Sequence, residues 1–276
     1  MTRPNLGWLL ATSIGILAPP ARAVAQTDYR NLDDDRPTSV EDAYPIEHWA
    51  FELIAPWRYE RTRDGTTLHS FAPELAYGLF RNGHVGIKLP LGGESTEGDR
   101  TWGLSGFRVF GLYNFNTDGI RWPALSLRAD ASFPAGDLGG GGSRLAIKAI
   151  VTRSFGRQRV HLNGSFGSGG GEEPAAVEPL PRWSAGAAVD HSFIRESILL
   201  VAEITAKQTS SGDATEAHVT IGARYQVAPT IVFDLGMARR VSSQGPDFAV
   251  TVGLSHAFAI AGLMPMPHRP AAGGAR

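Results

Sequence analysis

The chain has no cysteine among its 276 residues. That excludes a disulfide framework, thiol catalysis and thiolate metal sites. Charge is sparse and balanced: 26 basic and 27 acidic residues leave a formal charge of −1. Such a balance offers neither a basic surface for nucleic acid nor an acidic tail. After residue 18 no apolar stretch approaches the roughly 20 residues of a spanning helix. A chain of this kind crosses a membrane only with strands, because lipid supplies no partner for unpaired backbone groups. The four-glycine run Gly139 to Gly142 is not followed by Gly-Lys-Ser/Thr, so it is not a phosphate loop. The eight histidines include no His-Glu-x-x-His. Asp33-Asp34-Asp35, with Glu41 and Asp42, lacks the alternating ligands and the Gly of an EF-hand. No metal and no cofactor is expected.

What is present begins with Arg3 and an apolar run from Leu6 to Ala18, broken by Pro19-Pro20 and followed by Ala23-Val24-Ala25. This is the layout of a secretory signal peptide over residues 1–25, with cleavage before Gln26. No cysteine follows to carry a lipid anchor. Residues 26–45 are acidic and read as a solvated periplasmic lead-in. Residues 259–276, with Pro265, Pro267 and Pro270, read as a flexible C-terminal tail.

Between them, residues 46–258 alternate with period two. Leu145, Ile147, Ala149 and Val151 alternate with Arg144, Ala146, Lys148 and Thr152. Phe248, Val250, Val252 and Leu254 alternate with Ala249, Thr251, Gly253 and Ser255. Period two marks strands with two unlike faces. Twelve strands are predicted, over 46–61, 66–80, 84–91, 101–116, 122–133, 143–156, 158–166, 182–193, 196–208, 214–227, 230–241 and 247–258. Tight turns such as Arg81-Asn82-Gly83 and Thr117-Asp118-Gly119 alternate with longer loops such as Gly92 to Arg100 and Gly167 to Pro181. Asn-Gly and Asp-Gly supply the positive φ of short hairpins. Short turns at one end and long loops at the other predict an all-β transmembrane antiparallel barrel of about twelve strands, porin-like, in the outer membrane of a Gram-negative bacterium. An even count leaves both chain ends in the periplasm.

The polar face of such a barrel points inward. Its charged candidates include Arg108, Arg128, Asp130, Lys148, Glu203, Arg224 and Asp234. Hairpin register brings Arg108, Asp130 and Lys148 together on adjacent strands and sets Arg224 near Asp234. Either these charges neutralise each other in a filled interior, or they form a constriction that selects a solute. Trp49, Trp57, Tyr59, Phe115, Trp183, Phe193, Tyr225 and Phe258 face outward near strand ends, as membrane interfaces favour. Ser and His at His69-Ser70 and Ser255-His256 point to opposite faces, so neither pair reads as a nucleophile with its base.

Thr251-Val252-Gly253-Leu254-Ser255-His256-Ala257-Phe258 resembles the C-terminal signal read by the outer-membrane assembly machinery, carried by Thr251, Gly253, His256 and Phe258. His256 departs from the usual residue, and eighteen residues follow Phe258. The segments Arg36 to Leu53 (RPTSVEDAYPIEHWAFEL) and Pro73 to Leu79 (PELAYGL), with the strand ending at Leu89-Pro90, resemble a family of outer-membrane transporters linked to the meta-cleavage pathway of phenol degradation. The resemblance implies movement of aromatic or other hydrophobic small molecules and names no site residue. The expectation is a channel without a catalytic step, whose partners are outer-membrane lipids, the assembly machinery and a small solute. A closed structural or adhesive barrel and an outer-membrane lipid hydrolase are the alternatives.

Overall fold

The computed structural model describes residues 25–96, 99–169, 180–209 and 214–263. Residues 1–24, which cover all but the last residue of the expected signal peptide, the tips of three loops and the tail from 264 onward lie outside the described residues.

The first arm of the sheet is β1 (Phe51–Arg61). Three arms are broken in two: β2 (Thr67–Phe71) with β3 (Glu74–Phe80), β4 (Gly83–Lys88) with β5 (Leu91–Thr96), and β6 (Asp99–Leu104) with β7 (Gly106–Asn116). The rest are β8 (Ala124–Pro134), β9 (Arg144–Phe155), β10 (Gln158–Gly169), β11 (Trp183–Phe193), β12 (Ile198–Gln208), β13 (Thr215–Ala228), β14 (Ile231–Arg240) and β15 (Phe248–Phe258). The segments make twelve antiparallel arms. Pairing of β15 with β1, from Phe51↔Phe258 to Arg61↔Phe248, closes them into a barrel, with β6 at the loop end paired on one side only, to β5. Two of the breaks fall at Pro73 and Pro90, which have no N–H to give the ladder.

The first arm starts at Phe51, not at residue 46 as the pattern predicted. The third arm is longer than predicted. Leu91 to Thr96 pair with Leu104 to Asp99, so most of the glycine-rich stretch read as a loop is a hairpin. Gly93 is covered from outside by Trp102, whose ring lies where a Cβ would be.

The wall is inside out relative to a soluble protein. Leu145, Ile147, Ile204 and Ile221 are more than half exposed, while Arg128 and Arg224 are buried. Only lipid makes that arrangement favourable. Aromatic clusters mark two levels. Near the short turns, Phe51 stacks on Phe258 at 5.4 Å across the closing seam and, on its other side, on Tyr77 of β3 at 4.5 Å. Near the long loops, Trp57, Tyr59 and His69 meet with centroids 5.3–6.4 Å apart. At ~3.3 Å per residue and ~40° of tilt, Phe51 and Tyr59 lie roughly 20 Å apart along the barrel axis. That is close to the ~25 Å apolar band of such barrels.

The acidic segment read as a solvated lead-in is inside the barrel. Leu32, Arg36, Val40, Asp42 and Ala43 are no more than 1% exposed. The chain enters the lumen, crosses it and leaves through a turn in which Trp49, at φ 69°, donates its N–H to the Gly78 carbonyl (2.9 Å). Trp49 therefore lies ahead of β1, packed edge-on to Tyr77 at 6.5 Å, and is not a strand residue.

Candidate functional site

The segment inside the barrel, residues 27–46, is a plug that contains no strand, so its backbone polar groups need partners other than a ladder. Side chains of the wall supply them in order around the barrel. Glu203 on β12 accepts the N–H of Ser39 (3.0 Å) and Val40 (2.8 Å). Asn163 on β10 accepts the Glu41 N–H and donates to the Glu41 carbonyl, both at 2.8 Å. Thr152 on β9 accepts the Ala43 N–H (3.0 Å). Ser126 on β8 and Asn114 on β7 donate to the Ala43 carbonyl. His84 Nδ1 on β4 accepts the Ile46 N–H (3.2 Å). The plug is thus laid around the inner wall from β12 to β4.

Two charge clusters hold it. In the first, Arg36 lies 2.7 Å from Asp33 and 3.1 Å from Asp234; Arg224 lies 2.7 Å from Asp234 and 3.2 Å from Asp33. Two cations and two anions close a neutral ring, with Ser255 accepting from Arg36 at 2.6 Å. Beside it, Pro37 sits on the cross-strand pair Gly222↔Gly236. A Cβ at 236 would stand 2.2 Å from the Pro37 carbonyl oxygen, so the plug can approach only a bare backbone there.

The second cluster faces the long loops. Lys148 pairs with Asp34 and, at 3.3 Å, with Glu41. Arg128 pairs with Glu41 (3.0 Å) and Asp130 (3.1 Å) and lies over the Phe110 ring. Lys88 pairs with Asp35 (2.7 Å). Burial acts to raise the Asp34 carboxyl, but Lys148, Arg128 and Lys88 outweigh it and hold the group well below the ordinary carboxylate range. Asp34 is therefore ionised at neutral pH.

All seven charged candidates face the lumen, yet they do not form a constriction among themselves. Arg224 and Asp234 do meet, as register predicts. Asp130 is paired with Arg128 on its own strand rather than with Arg108 or Lys148. Arg108 lies opposite Lys88, where β4 meets β7. Glu203 binds plug backbone. In the C-terminal segment Thr251 and Gly253 face inward, while His256 and Phe258 face outward with rings stacked at 5.9 Å.

Sequence reasoning missed Arg36 and the plug acids as counter-ions, along with Lys88, Asn114, Asn163 and Arg159. It also missed a hydrogen-bonded chain from Thr152 Oγ1 to His161 Nδ1 (3.0 Å) and from His161 Nε2 to Asp190 Oδ2 (2.9 Å). That order of groups is one used to activate a hydroxyl. Here the hydroxyl already accepts the Ala43 N–H, and none of the three residues is more than 1% exposed. Arg159 ties the chain to the plug, 2.6 Å from Asp190 and 3.0 Å from Asp42. These are anchors. A polar residue beside the apolar set of a strand was the available signal, as for Thr152 and Asn163.

Among the described residues the plug has a cavity on either side. Toward the short turns is a cavity of about 840 Å³, bounded by Tyr29, Glu47, Glu52, Arg159 and Gln226. Toward the loops is one of about 90 Å³, where Arg58, Lys148 and Lys207 face Leu180, Pro181 and Ala206.

No protein-family model and no curated protein matches the chain. Among solved structures, an outer membrane channel from Pseudomonas putida F1 is similar over 79% of this chain and 98% of its own, at 14% identity and a TM-score of 0.60. The KdgM porin, solved with oligogalacturonate, matches over 74% of this chain and 99% of its own, at 11% identity and a TM-score of 0.48. Outer membrane phospholipase A from Escherichia coli matches over 85% and 98%, at 10% identity and a TM-score of 0.43. The last two likenesses are too loose to inform function. The first identifies the fold, a closed twelve-stranded outer-membrane β-barrel.

Proposed function

We propose that this chain is an outer-membrane channel whose lumen is shut by residues 27–46 and conducts when that segment shifts. The observation that carries the reading is the plug itself, ion-paired to the wall with a chamber on either side. A barrel built only for structure has no need of an inserted segment seated on bare glycines. The solute in this reading is a small aromatic or other hydrophobic molecule that passes the outer chamber. The apolar Leu180, Pro181 and Ala206 suit its ring. Export through the signal peptide and insertion by way of Thr251, Gly253, His256 and Phe258 belong to the same reading, as does the absence of a catalytic step.

The cysteine-free chain makes a clean test. A Cβ at Gly186 would lie 2.6 Å from Val40 Cγ2, so the double variant Val40→Cys, Gly186→Cys brings two sulfurs within bridging range. Single-channel recording in planar bilayers should give conductance steps for the native chain and the reduced variant, and none for the oxidised variant. Equal conductance in both redox states would remove the plug from the gate. Silence of folded protein throughout would favour a structural barrel.

A further inference from the structure

The outer wall carries a row of arginines that the channel reading does not use. At the loop end, cross-strand register aligns Arg100↔Ser95, Ser95↔Thr67, Thr67↔Arg61, Arg61↔Phe248 and Phe248↔Arg239. The row runs across β6, β5, β2, β1, β15 and β14. Arg61, Arg100 and Arg239 are exposed. They take the outward positions of their strands, in line with Trp57, Tyr59, Trp102 and Met237. None of the three has a side-chain ion pair or hydrogen bond with a described residue. At ~4.8 Å per strand, Arg61 lies roughly 10 Å from Arg239 and roughly 14 Å from Arg100.

The next outward row, two residues closer to the membrane centre, reads Trp102, Gly93, His69, Tyr59, Val250, Met237. Aromatic side chains of this kind lie at headgroup level. The arginines stand one step beyond them, where the phosphates of a lipid headgroup would be. Arginine binds phosphate with two parallel N–H donors and desolvates more readily than lysine. Phe248, between Arg61 and Arg239, keeps a flat apolar surface against which a sugar ring or an acyl chain can pack.

We propose that Arg61, Arg100 and Arg239 form a lipid-facing site for a phosphorylated glycolipid of the outer leaflet, one carrying more than one phosphate on its sugar headgroup. Spacing of about 10 Å suits two phosphates on one headgroup better than a single-phosphate phospholipid. The proposal rests on the orientation in the functional reading, with long loops outward, but not on whether the lumen conducts.

The test is native mass spectrometry of the full chain, purified folded in detergent and titrated with diphosphorylated lipid A. Dephosphorylated lipid A and phosphatidylglycerol serve as comparison lipids. The native chain should retain the diphosphorylated lipid at least tenfold better than either. The triple variant Arg61→Gln, Arg100→Gln, Arg239→Gln should lose that preference. Arg121→Gln with Arg157→Gln, at the turn end, should keep it. Arg61→Lys should recover part of the binding in an otherwise native chain relative to Arg61→Gln. Equal retention by the triple variant, or no preference for the phosphorylated form, would overturn the site. Bilayer conductance of the triple variant, expected to be native, reports separately on the channel.

Discussion

The two charge clusters that hold the plug are built from the same residue types but differ in how they are closed. The ring of Asp33, Arg36, Asp234 and Arg224 is neutral; the side chains of Arg36, Arg224 and Asp234 have no solvent contact, and Asp33 keeps 18% exposure. The ladder of Asp34, Asp35 and Glu41 with Lys88, Arg128 and Lys148 borders the outer chamber, and its members keep up to 20% exposure. A closed ring whose two cations are fully buried has one arrangement and loses much if either of them leaves. A ladder open to water can exchange a partner for solvent at small cost. We therefore assign the ring to anchoring and the ladder to release. Motion of the plug should begin at Glu41, with the turn closed by Asp33 and Arg36 held fixed.

Breaking the ring should have the largest effect. Arg224→Ala leaves Asp234 and Asp33 to share Arg36 in a dry site. It should cost about 3–5 kcal/mol, the range for uncovering a buried charge. Urea unfolding of refolded protein would read this as a lower midpoint. A loss below about 1 kcal/mol would mean that the ring is no tighter than a surface pair. Next comes Gly236→Ala. The new Cβ and the Pro37 carbonyl cannot share a 2.2 Å gap, so wall or plug must move. A cost of about 1–3 kcal/mol is expected for such overpacking. Protease cleavage within 27–46 should appear, and the chambers should join, with conductance rising in bilayers. Native protection of the segment would contradict this.

How far the sequence foretold these sites depends on periodicity. Strands write their two faces into alternate residues, so the wall, the turn order and the Arg224↔Asp234 pair were legible. The plug has no period. Asp33 to Asp35 look like any solvated acidic run until the bases that neutralise them, on β4, β8, β9 and β13, are brought across the lumen by closure. The same holds for Gly222 and Gly236, which look like weak points in strands and are seats for Pro37. The hairpin at Gly92 was misread for a related reason. Its glycines lower strand propensity, and the compensating cover of Trp102 comes from the neighbouring strand. Local pattern reports what a segment prefers, and tertiary partners decided these three places.

In the ladder, Lys148→Met should be milder than either ring change. Asp34 would keep Arg128 at 3.8 Å and Lys88 at 4.0 Å, and Glu41 would keep Arg128 at 3.0 Å. The unfolding midpoint should fall little. Open probability in bilayers should rise about tenfold, equivalent to ~1.4 kcal/mol of bias toward the shifted plug. If Lys148→Met unfolded the barrel as readily as Arg224→Ala, the division between anchor and latch would be wrong.

Salt should give the smallest effect and the sharpest comparison. Raising ionic strength from 0.1 to 1 M shortens the screening length from ~10 to ~3 Å. Pairs in contact with water weaken, whereas dry pairs barely respond. Opening frequency of the native chain should therefore rise with salt by about twofold, a few tenths of a kcal/mol and within the range of partly exposed pairs. The rise should be smaller in Lys148→Met, which has already lost the most exposed basic member of the ladder. It should persist in Asp234→Glu, which alters the ring but keeps its charges. A salt response that followed the ring variant and ignored Lys148 would invert the assignment. The gate would then lie at the turn closed by Asp33 and Arg36.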